Sequence, residues 1–178
     1  MLRRPLVIKQ RNTIYLVEGE DEKIIVSLLK TEFRLIRPGK ISVLNILQKK
    51  ITPARAATWE SGIDVVLVFD TDVRRTSTFD QNISLLKKMN AVHDIVFIPQ
   101  VRNLEDELLR ASNIKHIREI TKSRTDEEWK GDLRKCSNLQ HRFREIGFEM
   151  QKFWNTRPVD DFVGIPNQSE KIRIKRKR

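Results

Sequence analysis

Glu18 with Glu22, Asp70 with Asp72, and Glu105 follow three apolar runs, and brought together they would make a carboxylate site for a hard divalent cation. The runs are Thr13 to Val17, Ile63 to Phe69 and His93 to Ile98, each with the composition of a buried strand. In an open parallel sheet, chemistry collects beyond the carboxyl ends of the strands, which is where these side chains would lie. Glu18 and Glu22 are four apart, so a helix starting near Gly19 would set both carboxylates on one side, one turn apart. Gly19 lets the backbone turn sharply there. Asp70 and Asp72 alternate along the strand direction and would project from the same side. Oxygen donors of this kind suit Mg²⁺ or Mn²⁺, which keep several waters for substrate phosphates.

Positioning these residues takes an alternation of strands and helices. Strand one covers about Thr13 to Val17. Helix one, Asp21 to Phe33, places Ile24, Ile25, Leu28 and Leu29 on one face. Pro38-Gly39 predicts a turn before strand two, Ile41 to Ile46, and Thr52-Pro53 predicts an N-cap with proline at the first position of helix two, which runs to Glu60. Strand three is an unbroken apolar run and should be central. Helix three is expected over Phe79 to Met89, strand four over His93 to Ile98 with a stop at Pro99, and helix four from Leu104. This series implies an α/β fold, a mostly parallel four-stranded sheet of Rossmann-like type flanked by helices. Further on, Thr125-Asp126-Glu127-Glu128 is a capping-box pattern. Trp129, Leu133, Cys136, Leu139, Phe143, Ile146, Met150 and Phe153 then recur every three or four residues. A C-terminal helical extension, one long helix or two short ones, is expected to pack on the sheet: Ser137-Asn138-Leu139-Gln140 could cap a second helix, and Gly147 could break the run. After Pro158 the chain turns polar and basic, and a flexible tail is expected.

The 178 residues carry a formal charge of +11, unusual beside an acidic site, so the positive charge must lie around or beyond it. A polyanionic substrate, nucleic acid above all, is the simplest account. Arg74 and Arg75, just after Asp72, could hold a phosphate or form a solvated loop, and the run Lys171 to Arg178 could contact phosphate or be a solvated tail. No apolar run approaches the ~18–20 residues that span a bilayer, and the first eight residues are too short for a secretory core. A soluble, cytoplasmic protein without membrane contact is therefore expected, with homo-oligomerisation left open. The single cysteine, Cys136, excludes a disulfide within the chain and reads as a packed thiol. His93, His116 and His141 show no metal-ligand spacing and read as structural.

Val17-Glu18-Gly19-Glu20-Asp21-Glu22-Lys23, Val68-Phe69-Asp70-Thr71-Asp72 and Asn103-Leu104-Glu105, in that order after strands one, three and four, resemble the Toprim fold. The Toprim pattern is a glutamate after the first strand and Asp-x-Asp after the third, shared by topoisomerases, bacterial primases, ribosomal-RNA maturases and the nucleases of the overcoming-lysogenization-defect (OLD) family. Tyr15, the only tyrosine, lies mid-strand, which argues against a topoisomerase nucleophile, and a primase would bring zinc-binding cysteines. Glu22, Leu104-Glu105, and the region from Cys136-Ser137-Asn138-Leu139 through Gly147-Phe148 to Trp154 look most like OLD-type and related phage-defence nucleases.

The resemblance implies a Toprim catalytic domain over 12–111, a helical extension over 112–157 and a basic tail over 158–178. It also implies a metal-dependent endonuclease that hydrolyses phosphodiester bonds, with DNA favoured over RNA. One or two ions of Mg²⁺ or Mn²⁺ would serve, ~3.5–4 Å apart if two. Glu18 would be a ligand or general base, Asp70 and Asp72 ligands, and Glu22 and Glu105 ligands of a second ion or outer shell. A lysine beyond the sheet, here Lys135, would assist at the phosphate. OLD proteins carry an ATPase, whereas no Gly-x-x-x-x-Gly-Lys-Ser/Thr occurs in this chain, so nucleotide-driven control would come from a partner ATPase.

Three other readings compete. Glu20, Asp21 and Glu22 would favour a helix N-terminus, but that explains one acidic group of the three. A haloacid-dehalogenase-like phosphatase also uses Asp-x-Asp, but after its first strand and with Thr or Val two positions beyond the second aspartate, where this chain has Arg74. A Toprim module that binds nucleic acid without cutting would use the charge for phosphate contacts alone.

Overall fold

A computed structural model describes residues 11–175. Strands β1 (Thr13–Val17), β2 (Lys40–Val43), β3 (Ile63–Asp70) and β4 (Val92–Gln100) form one all-parallel sheet in the order β2-β1-β3-β4. Helix α1 (Glu20–Ser27), prolonged by a π-helical turn over Leu28–Glu32, connects β1 to β2. Helices α2 (Pro53–Ala56) and α3 (Ser77–Lys88) make the next two crossovers, and α4 (Leu104–Arg110) follows β4. The α/β architecture with a four-stranded parallel sheet is as expected, and β3 is central, buried from Ile63 to Phe69.

Alternation along the strands sorts the core into two layers. Tyr15, Val17, Val66, Val68, Val96 and Ile98 pack with Ile25 and Leu29 on one face, together with Leu104 and Leu108 of α4. Ile14, Leu16, Val65, Leu67 and Phe69 pack on the other face with Phe79 and Leu86 of α3. Asp70 and its register partner Gln100 continue the first series, so both side chains leave the sheet on the α1/α4 side.

Caps fix where the helices begin. Thr52 Oγ1 accepts the Arg55 N–H at 3.2 Å ahead of Pro53, Thr76 Oγ1 accepts that of Phe79 at 3.1 Å, and Asn103 Oδ1 accepts that of Asp106 at 3.0 Å. Helix α2 is nevertheless a single turn and stops well short of Glu60. Strand two ends at Val43 and not Ile46, because Asn45 forms a side-chain turn, its Oδ1 accepting from Leu47 N and Gln48 N. Strand β4 runs through Pro99 to Gln100, past the expected stop. It is an edge strand whose Phe97 N–H points outward to Gln168 Oε1 at 3.0 Å, so two residues on the missing proline N–H also faces outward and removes no ladder bond.

Beyond α4 the helical extension is fragmentary. It holds α5 (Trp129–Leu133) and α6 (Leu139–Glu145), with turns between them. Gly147, at φ 65, breaks the pattern, and a Cβ there would come within 2.3 Å of Asn113 Nδ2. Trp129, Leu133, Leu139, Phe143, Ile146, Met150 and Phe153 are buried in the layer that covers the α1/α4 face, with Cys136 packed against it.

The expectation of a flexible tail is corrected as far as Lys175. Phe162 is buried against Phe69 and Phe79, ring centroids 5.6 and 5.9 Å away. Gln168 N donates to Phe97 O at 2.8 Å, and Ile172 is buried beside an antiparallel bridge between Ile36 and Arg173. Lys171 pairs with Asp94 at 2.8 Å and Arg173 with Glu170 at 2.7 Å, so these two basic residues have structural partners. A few apolar anchors and the open edge of β4 hold this polar segment down. The rest of the basic run, residues 176–178, and the opening eight residues lie outside the described part of the chain. Among the described residues no helix is long and apolar enough to cross a membrane.

Candidate metal centre

The carboxyl ends of β1 and β3 and the first turns of α1 and α4 meet at one place, and each brings an acid. Glu18 follows β1, and its carboxylate is held from two sides: Oε1 accepts from Asn45 Nδ2 at 2.6 Å and Oε2 from the Asp70 backbone N–H at 3.1 Å. Glu22 is buried in the first turn of α1. Asp70 ends β3, and its Oδ1 is buried without a hydrogen-bond partner. Asp72 is exposed and accepts from Asn103 Nδ2 at 3.4 Å, while the other end of that amide caps α4. Glu105, in the first turn of α4, lies 2.7 Å from Lys130 Nζ.

The loop carrying Asp72 is tied to the end of β4. Thr71 N donates to Arg102 O at 2.8 Å, Asp72 N donates to the same oxygen at 3.0 Å, and Thr71 Oγ1 donates to Gln100 O at 3.0 Å. Arg102 turns at φ 66, a left-handed conformation that costs a non-glycine residue energy and is maintained here by those bonds.

Burial pushes the Asp70 carboxyl up to about 9, aided by the negative charges of Glu18, Glu22, Asp72 and Glu105. The other four sequence-predicted acids are therefore all near enough to act on Asp70. Glu18 is also raised, by burial first, against the lowering effect of the Asp70 N–H. Glu22 is raised by burial, with the charges of Glu18 and Asp21 adding to it.

The donor set fits a hard divalent cation: it is all oxygen, it is over-charged, and one buried oxygen is unsatisfied. As the side chains stand, no three acidic, histidine or cysteine groups among the described residues converge as ligands. Glu18 is turned to Asn45 and the Asp70 amide, and Glu105 to Lys130, so a cation would draw these oxygens inward.

Lys130, not Lys135, is the lysine at the acids. Trp129 and Leu133 anchor α5 in the core, and Lys130 and Arg134, one turn apart, reach the acids from it. Burial would lower the Lys130 pKa, but the Glu105 bond and the charges of Glu105, Asp21 and Glu22 raise it overall. Arg134 grips Asp21 with two bonds, 2.9 and 3.2 Å, which removes Asp21 from the candidate ligands. Lys135 is exposed and lines an open depression with Lys122, Arg124 and Asp132. Of the arginine pair, Arg75 is bound to Asp80 at 2.6 Å and lies over the Phe79 ring, whereas Arg74 is exposed and without an ion pair among the described residues. Asn45, Lys130 and Gln100 are the site residues that sequence reasoning missed. None of the three carries a signal in the spacing of the sequence, because each reaches the acids through a tertiary contact.

Comparison of the chain with protein-family models, with curated proteins and with solved structures finds no match.

Proposed function

We propose that this chain is a metal-dependent nuclease of the Toprim type, closest to the OLD-family and related phage-defence nucleases, and that it hydrolyses phosphodiester bonds, with DNA favoured over RNA. The observation that carries this reading is Asp70: a carboxylate with an unsatisfied buried oxygen, surrounded by Glu18, Glu22, Asp72 and Glu105 at the carboxyl end of a parallel sheet. Mg²⁺ or Mn²⁺ held by Glu18, Asp70 and Asp72, with Glu22 and Glu105 beside them, would supply Lewis-acid stabilisation and an activated water.

The chain's own residues do the rest. Asn45 and the Asp70 amide fix the Glu18 carboxylate in place to orient or deprotonate a water. Lys130, its ammonium already among the acids, neutralises charge building on the phosphate oxygens, and Arg74 grips the phosphate from the exposed loop after Asp72. Exposed Lys49, Lys50 and Arg102 sit on the loops around the same end of the sheet and attract a polyanion. These 178 residues carry no Walker motif, and an ATPase acting with them, as a partner in a defence system, would supply control by nucleotide.

Two observations favour the second reading, a Toprim module that binds nucleic acid without cutting it: Lys130 pairs with Glu105, and among the described residues no three acidic, histidine or cysteine groups converge as ligands. The two readings separate when retention and cleavage of plasmid DNA and structured RNA are measured on the same samples. The nuclease reading expects Asp70→Ala/Asp72→Ala to bind and not cut. The binding-module reading expects no cutting by either form, with binding intact.

A further inference from the structure

Gln100 is the last residue of β4 and is fully buried, yet neither its Oε1 nor its Nε2 has a hydrogen-bond partner. A buried amide with both ends unmet is costly and calls for a specific explanation. Its neighbour supplies one. Gln100 is in register with Asp70 on the adjacent parallel strand, so the two side chains leave the sheet side by side on the α1/α4 face, about 5 Å apart at the backbone. Asp70 in turn holds Oδ1 buried and unpartnered. A donor without an acceptor thus stands next to an acceptor without a donor, at the centre of the acidic group. Asp70 is partly open to solvent and Gln100 is not, so the amide lies on the inner side of the carboxylate and a cation would approach from the outer side.

We propose that Gln100 is a positioning residue for the metal centre: with a cation bound, its Nε2–H donates to the inner oxygen of Asp70 and turns the outer oxygen toward the ion. This rests on the metal-centre reading above. Ligating carboxylates are commonly held by such an outer hydrogen bond, and losing it typically weakens metal binding 10–100-fold. The backbone around Gln100 is already fixed, because its carbonyl accepts from both Thr71 N and Thr71 Oγ1, at 3.1 and 3.0 Å. The side chain therefore starts from a rigid base.

The test is Mn²⁺ binding to the full chain, read by electron paramagnetic resonance, with thermal melting of the metal-free protein alongside. Gln100→Met keeps the volume and removes the unmet amide. It is expected to weaken Mn²⁺ binding at least tenfold while leaving the metal-free melting temperature unchanged or higher, a combination that a merely structural glutamine would not give. Gln100→Leu, which also lacks any donor, is expected to weaken Mn²⁺ binding to the same degree. Gln100→Met binding Mn²⁺ as tightly as the wild type would overturn the proposal and leave the metal centre standing. A wild type that binds no Mn²⁺ would overturn both.

Discussion

Lys130 Nζ lies 2.7 Å from Glu105 Oε1, so a side chain from the irregular C-terminal half of the chain supplies positive charge to an acidic group built by the sheet. The contact joins α5 to α4 and sets the Lys130 ammonium beside the acids Glu105, Asp21 and Glu22.

Lys130→Ala should lower the cleavage rate by about 10²–10³-fold, the usual loss when one preorganised charge is removed from a transition state. It should leave Mn²⁺ binding unchanged or tighter, since Glu105 is released. Lys135→Ala should cut at close to the wild-type rate. Single-turnover rates for the two variants check this, and equal effects would refute the assignment.

Asp70 gives the metal-free protein a pH dependence of known sign. Its carboxyl holds a proton to about pH 9 in the folded chain and to about its ordinary value of 3.8 when unfolded. Between those values the folded state binds the extra proton, so stability falls as pH rises. Metal-free Asp70→Asn should therefore melt higher than wild type at pH 8 and lose most of that advantage at pH 4. A cation competes with the same proton, so apparent Mn²⁺ affinity should climb up to about tenfold per pH unit toward pH 9. Calorimetry across this range reads both effects.

Glu107 is fully buried at the joint between α4 and the C-terminal segment. It accepts the Val101 and Trp154 N–H groups, both at 2.9 Å, and pairs with Arg110 at 2.8 Å. Glu107→Ala leaves two backbone donors unmet and should cost about 3 kcal/mol, roughly 10 °C in melting temperature. Glu107→Gln retains an acceptor and should lose less.

The segment from Ile165 to Lys175 covers the edge of β4, chiefly through Gln168 and Lys171. Ending the chain after Gly164 would open that edge and expose Ile36, and the truncated protein should associate or aggregate. Light scattering at equal concentration measures this, and a monodisperse monomer of unchanged melting temperature would contradict it.

The parallel sheet and its acids were legible in sequence because each depends on local pattern. The run from Ile63 to Phe69 marks a doubly covered strand, and carboxylates after such strands must meet at one end of the sheet. Boundaries slipped where a side chain competed with the backbone, as Asn45 does at the end of β2, or where an edge tolerated proline, as at Pro99. The tail was misread because Phe162 and Ile172 are too sparse to form a period, although each finds a buried place. Lys130 was missed because its role depends on how α5 docks through Trp129, a long-range contact that spacing does not encode. Gln100 was hidden as a polar residue ending an apolar strand.

The central claim is metal-dependent phosphodiester cleavage at this acidic site. It is tested most directly by nicking of supercoiled plasmid at increasing Mg²⁺ or Mn²⁺, comparing the wild type with Glu18→Ala and Asp70→Ala/Asp72→Ala purified in parallel. The account predicts cutting that requires the metal, stops on chelation and is lost in both variants. Cutting that persists in the double variant or under chelation, or no cutting by a wild type that still binds the plasmid, would contradict it.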